Sequence, residues 1–168
     1  SILILLVLVF LALPAAAQQS RQNYEIMRLI RQEKFELVLP GAMRDNNIDI
    51  WVHVVESGRM DPLALDLGGW TEYRAWEPVC YYLFVDHGDR IERIILGGED
   101  LDGLYDYQGS HSELLSIIER RDPDVIAVNM SDSIGIANGL SHTQYLRLMD
   151  TLGDKYGDRL TSAEALIT

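Results

Sequence analysis

The sequence predicts an α/β sandwich, three-layered in outline, with helices packed against a mixed β-sheet. Two observations lead there. Helical and strand-like periodicities alternate in the order helix, strand, hairpin, helix, strand, helix, strand, which fits a mixed sheet covered by helices. One strand segment, residues 124–129 (DVIAVN), is mostly apolar, as expected of a strand at the centre of a covered sheet.

Residues 1–17 stand apart from that domain. An unbroken apolar run over 2–13 is followed by Pro14, Ala15, Ala16 and Ala17. An apolar run of about 7–15 residues ending in small residues has the form of a secretory signal peptide. A transmembrane helix needs about 20 apolar residues. The chain starts at Ser1 with no Met, Lys or Arg before the run, which reads as a signal clipped at its start. An uncleaved membrane anchor is the alternative. On either reading residues 18–168 work outside the cytoplasm, secreted or periplasmic, with cleavage near Ala17 on the first.

Residues 18–168 make one domain by length, large enough for its own core. Lys and Arg number 14 against 26 Asp and Glu, a net charge of −12, and no charge falls in 1–17. Such a surface argues against nucleic acid and against anionic lipid, so no nucleic-acid partner and no membrane contact after signal cleavage are expected. Cys80 is the single cysteine, so no internal disulfide forms, and a buried, inert thiol is expected.

The elements follow in order. Residues 20–39 read as a helix, with Tyr24, Met27, Ile30 and Leu37 as its apolar stripe and Arg28, Arg31, Gln32 and Lys34 between them. Pro40 and Gly41 break it, and a short second helix starts at Pro40 and runs to about Asn47. Residues 48–55 alternate as a strand, Ile48, Ile50, Val52 and Val54 on one face and Asp49, Trp51, His53 and Val55 on the other. Residues 56–79 are irregular and rich in Gly, Pro and aromatics, including Trp70, Tyr73 and Trp76. A loop this long in a compact domain usually has a function or a partner. Residues 81–86 and 90–96 form a hairpin around Gly88. Residues 97–109 are an acidic, solvated loop. Ser110 and Glu113 make a capping box for a helix to about Arg121. The strand 124–129 follows, then a second capping box, Ser141 with Gln144, for a helix to about Tyr156 that Gly157 closes. Residues 159–161 fit a last short strand, and 162–167 the start of another helix.

Familiar catalytic patterns are absent. His53, His87, His111 and His142 never stand at zinc-ligand spacing. His87, His111 and His142 fall in a turn and at helix starts, where exposure is expected. Asp100-Leu-Asp-Gly103 resembles the start of a calcium loop, but positions six and twelve are Tyr105 and Ser112 rather than Gly and Glu. No G-x-S-x-G surrounds Ser131, Ser133 or Ser141, and residues 135–139 (GIANG) form no phosphate cradle. Arg44, Asp45, Asn46 and Asn47 form a polar cluster that reads either as a cap and turn or as part of a channel wall.

Three stretches resemble the N-terminal domain of the pita-bread metallopeptidases, the family of Xaa-Pro aminopeptidases, prolidases and creatinase. They are Ile126-Ala-Val-Asn-Met-Ser131, Gly139-Leu-Ser-His-Thr143 and Tyr145-Leu-Arg-Leu148. Arg159-Leu-Thr-Ser-Ala163 and Glu164-Ala-Leu-Ile167 fall where the family's last strand and helical linker begin. Leu39-Pro-Gly-Ala-Met-Arg-Asp-Asn-Asn47 is similar to exported bacterial members. The resemblance spans residues 24–168 and implies a creatinase-type N-terminal α/β domain over 18–168.

It implies further that this chain carries no catalytic residue, no metal ligand and no cofactor of its own. Two divalent metal ions, held by two Asp, one His and two Glu, belong to a C-terminal catalytic domain that this sequence lacks. The expected function is that of a non-catalytic domain of an exported metallopeptidase, which contributes to oligomerisation and to active-site access. The implied partners are its own catalytic domain, further copies of the chain, and the peptide substrate of the full enzyme. Trp51, His53, Trp70, Tyr73 and Trp76 are the candidates for interface or substrate-access contacts, since aromatics favour interfaces. For His53 a packing or hydrogen-bonding role is the competing reading. A different function also fits the residues: a stand-alone exported binding module that uses the aromatic loop 56–79.

Overall fold

The computed structural model describes residues 2–59, 61–68 and 77–167, with side chains from Ala17 onward. Six strands form one mixed sheet: β1 (Ile50–Glu56), β2 (Val79–Asp86), β3 (Ile91–Leu96), β4 (Tyr107–Gly109), β5 (Ile126–Val128) and β6 (Leu160–Ser162). Their order is β4-β3-β2-β1-β5-β6. Only β2 runs against its neighbours; β1–β5, β5–β6 and β3–β4 are parallel pairs.

Helices cover both faces. On one side α3 (Leu114–Arg121) and α4 (His142–Gly157) press Leu114, Ile118, Leu148 and Leu152 onto Ile50, Val52 and Val54 of β1 and Leu83 of β2. On the other, α2 (Leu39–Asp45), α5 (Glu164–Ile167) and the turn 61–67 cover Trp51, Tyr82 and Phe84. β1 is buried on both faces, so its two alternating sets of apolar residues each meet a core. Ile48 is an exception to the expected alternation. It precedes the strand, its N–H bonds the Met43 carbonyl at 2.9 Å, and it packs on the Trp51 side.

The helical N-terminal region corrects two expectations. α1 (Ile2–Glu33) does not stop at Pro40. It widens into a π-helical turn, Lys34–Val38, and continues as α2 with Pro40 in the first turn. Proline has no N–H for the carbonyl four residues back, and a single π turn just ahead absorbs that loss.

Of the expected stripe Tyr24 turns inward, but Met27, Ile30 and Leu37 do not: Leu37 is 76 % exposed. The inward face carries Tyr24, Arg28, Arg31, Phe35 and Leu39. The cause lies in the segment 97–106, expected to be solvated. The Asp102 side chain is 1 % exposed and takes Arg31 Nη1 at 2.6 Å and the Tyr24 hydroxyl at 2.5 Å. A buried carboxylate must be paired, and α1 is turned to pair it. Arg31 Nε also donates to the Leu65 carbonyl at 3.0 Å.

The same acidic segment ends in β4, a third unexpected feature. Tyr107 and Gln108 are exposed, Gly109 is partly buried, and the three show no apolar alternation, so no strand signal is present. Asp100 orders the approach by accepting the N–H groups of Leu104 (3.1 Å) and Tyr105 (2.9 Å). Among the described residues no helix is long and apolar enough to cross a membrane.

Candidate functional site

A cluster of buried polar residues, His53, Asp61 and Asn129, lies where the parallel strands β1 and β5 end. His53 projects from β1 on the same face as Trp51. Asp61 opens the turn 61–67, with its backbone carbonyl bonded to Ala64 N at 3.2 Å. Asp before Pro is a favoured turn start, because the carboxylate can cap the following N–H groups. Here Asp61 Oδ1 accepts from Leu63 N at 2.9 Å and Ala64 N at 3.0 Å, and His53 Nε2 donates to the same oxygen at 3.0 Å.

Burial pushes the Asp61 carboxyl up. The hydrogen bond and attraction of His53, with the two backbone N–H groups, outweigh burial and hold it below its usual range. The ionised Asp61 thereby fixes His53 Nε2 as the protonated nitrogen.

Asn129 extends the β1–β5 pairing past its last backbone pair, Val52 with Val128. Its Nδ2 donates to the Val54 carbonyl at 2.8 Å and its Oδ1 accepts Val54 N at 2.9 Å, so the side chain stands in for a peptide group. Gly139 passes directly over the pair. A Cβ there would lie 2.3 Å from Asp61 Oδ2 and 2.9 Å from Asn129 Nδ2.

His53 and Asp61 have the outline of a general base and its orienting carboxylate. The free nitrogen, His53 Nδ1, is sealed: His53 is 0 % exposed and Nδ1 has no partner among the described residues. The contacts that the pair does make fasten turn 61–67 to the sheet. Tyr105 assists by donating its hydroxyl to the Leu67 carbonyl at 2.6 Å.

Trp51 is 4 % exposed, stacks on Phe84 with centroids 4.9 Å apart, and meets His53 edge-on at 5.9 Å. Both Trp51 and His53 therefore sit inside the domain. Trp70, Tyr73 and Trp76 lie outside the described residues.

The remaining histidines differ from the exposed state expected of them, except His142. His87 is half-buried, between Glu92 (2.8 Å) and Arg121 (2.6 Å). His111 is half-buried against Glu77, which accepts its ring Nδ1, its backbone N–H (2.7 Å) and the Ser110 hydroxyl (3.0 Å). The His111 N–H leads these contacts in holding the Glu77 carboxyl below its usual range.

The Ser110–Glu113 capping box is complete. That of Ser141 is half-formed: Ser141 accepts Gln144 N at 3.2 Å, while the Gln144 side chain is buried with Nε2 unpartnered. The polar cluster at 44–47 is a cap and turn. Arg44 forks onto Asp86 at 2.9 and 3.0 Å, Asn46 donates to the Ala42 carbonyl, and Asn47 takes φ 53°. Ser131 accepts the N–H groups of Ser133 and Ile134 and donates to Glu164, and Ser133 donates to Glu164 at 2.7 Å, so these serines staple α5 to the loop after β5.

Cys80 is fully buried, and burial pushes its thiol up to about 12. Among the described residues no group of three or more His, Cys, Asp or Glu is placed to hold a metal ion. No family model, curated protein or solved structure matches the chain.

Proposed function

We propose that this chain is the non-catalytic N-terminal α/β domain of an exported metallopeptidase of the pita-bread type. On this reading it packs against a catalytic domain that follows it and against a second copy, and so shapes access to the active site. The observation that carries the reading is where the resembling stretches fall. Residues 126–131 are β5 and its exit turn, 139–148 open α4, and 159–167 make β6 and α5. Together they form one parallel β5–α4–β6 unit with a closing helix, in the order the resemblance implies. The docking role draws on the outward stripe of α1 and the π turn, where Ile26, Met27, Leu29, Ile30, Leu37 and Val38 are exposed. Contiguous exposed apolar residues of this kind mark interaction surfaces. The two divalent metal ions belong, on this reading, to the following domain, and no residue of this chain is assigned to them.

The test is to read the coding DNA beyond the Thr168 codon and to assay its product. An open frame carrying two Asp, one His and two Glu, whose product cleaves short peptides in a metal-dependent manner, is the expected result. A stop codon at that point, or a frame without that ligand set, overturns the proposal.

A further inference from the structure

Asn138-Gly139 is the single Asn-Gly pair in the chain. An asparagine before glycine is prone to lose its side-chain amide, because glycine has no Cβ to hinder attack by its own backbone nitrogen. Asn138 caps the short 3-10 turn Gly135–Ala137, is exposed, and its side chain makes no hydrogen bond among the described residues. Its backbone nonetheless holds the reaction off. At φ −106° and ψ 60° the Gly139 nitrogen stands anti to the Asn138 Cβ, the arrangement that puts it farthest from Cγ. Ring closure needs that nitrogen on the same side as Cβ, which demands rotation about the Cα–C bond of Asn138. The next residue blocks the rotation. Gly139 is seated on the buried polar cluster: a Cβ there would come within 2.3 Å of Asp61 Oδ2 and 2.9 Å of Asn129 Nδ2. Leu140 N bonds the Asn129 carbonyl at 2.9 Å, and Asp61 is itself held by His53, Leu63 N and Ala64 N. Turning the Asn138 bond carries Gly139 out of this seat, so the cluster has to open first.

We propose that Asn138 is a latent site of self-modification, held unreactive by the seating of Gly139 on Asp61 and Asn129 and released when that cluster opens. On release the Gly139 nitrogen attacks Asn138 Cγ and gives up its proton, and the side-chain amide leaves as ammonia. The succinimide so formed takes up one water at either carbonyl and yields aspartate or isoaspartate. In isoaspartate the main chain runs through Cβ and Cγ and is one atom longer. Gly139 then fails to regain a seat that has no room for a methyl group, and Leu140 loses its bond to Asn129. Folded proteins open locally and reclose, and here the reaction makes such an opening permanent. The inference rests on residues of this chain alone, so it stands or falls separately from the existence of a catalytic domain.

The experiment incubates the full chain at fixed pH and temperature, folded and in urea, and follows the tryptic peptide 122–147 by mass spectrometry with fragmentation. That peptide also holds Asn129, which is fully buried and followed by Met, and serves as the internal reference. Deamidation at Asn138 is expected to be roughly tenfold or more slower in the folded chain than in urea, as for a reaction that waits on a local opening. Asp61→Asn loosens the seat without adding a second site, because the proline that follows has no N–H. It is expected to speed the folded-state reaction about threefold or more over Arg31→Met, at urea concentrations that give the two variants equal global stability. Equal rates in the folded and unfolded chain overturn the proposal. Equal rates in the two variants do so as well, since they assign the protection to global unfolding. If either variant fails to fold, wild type in low urea decides. The Asn138 rate is expected to climb less steeply with urea than the unfolded fraction, and a climb in step with that fraction overturns the proposal.

Discussion

Replacing Arg31 by Met should be among the most damaging single changes outside the sheet. Arg31 supplies the only cation bonded to the Asp102 carboxylate among the described residues, at 2.6 Å, and that carboxylate is 1 % exposed. Met keeps the helical stem and apolar bulk, so the loss is chiefly of charge and of two hydrogen bonds. Removing one partner of a buried pair leaves an uncompensated charge, which costs about 3–5 kcal/mol. A domain of this size has about 5–15 kcal/mol in total. Each kcal/mol moves the melting temperature about 2–4 °C, so a fall of roughly 6–20 °C is expected.

Urea melts of wild type, Arg31→Met, Asp102→Leu and the double variant form a double-mutant cycle that isolates the pair. The double variant should recover much of the loss, because two apolar residues can replace a buried pair at little net cost. Tyr24→Phe should cost less, about 1.5–3 kcal/mol, the net worth of a hydrogen bond to a charged group. A loss under about 1 kcal/mol for Arg31→Met, the scale of an exposed pair, would refute the docking of α1 through Asp102. Strict additivity in the cycle would do the same.

Further expectations concern the fastener and the buried thiol. The Asp61 carboxyl titrates lower in the folded chain than in the unfolded one, so its stabilisation is complete above about pH 4 and disappears as pH falls through the folded value. Asp61→Asn should flatten the acid limb of a stability–pH curve; a limb of unchanged slope counts against the His53–Asp61 pair. Gly98→Ala would bring a Cβ within 2.6 Å of Cys80 Sγ and 3.1 Å of Ile95 Cδ1, an overpacking that costs about 1–3 kcal/mol by chemical denaturation. Cys80 should resist a thiol reagent at pH 8 in the native state and react fully in urea, and stoichiometric labelling of folded protein within minutes contradicts its burial.

Sequence periodicity was most informative where the determinant is local. The hairpin was readable because Gly88 supplies the positive φ its turn needs, at 87°. The strand β5 was readable because it lies between β1 and β6 and is buried throughout, which demands apolar residues without alternation. β4 was not, because a three-residue edge strand with an exposed Tyr107 draws its stability from β3 and carries no pattern of its own. The fastener was half readable. Asp61-Pro62 marks a turn on local grounds, while its pairing with His53 depends on where the turn lands on the sheet.

The facing of α1 shows most clearly what periodicity leaves open. A three- and four-residue spacing identifies two faces of a helix, one apolar and one basic, and hydrophobicity alone assigns the apolar one inward. The structure reverses this over residues 24–31 because Asp102, seventy-one positions from Arg31, is buried and needs a cation. An unpaired buried carboxylate costs more than leaving a few aliphatic side chains half exposed, each of which forfeits only part of about 1.5–3 kcal/mol. The long-range charge therefore decides the facing, with Phe35, Leu39 and Met43 as the apolar anchor further along. Met27 and Ile30 of the expected stripe face outward beside Ile26 and Leu29, and that is the surface the proposed docking role requires.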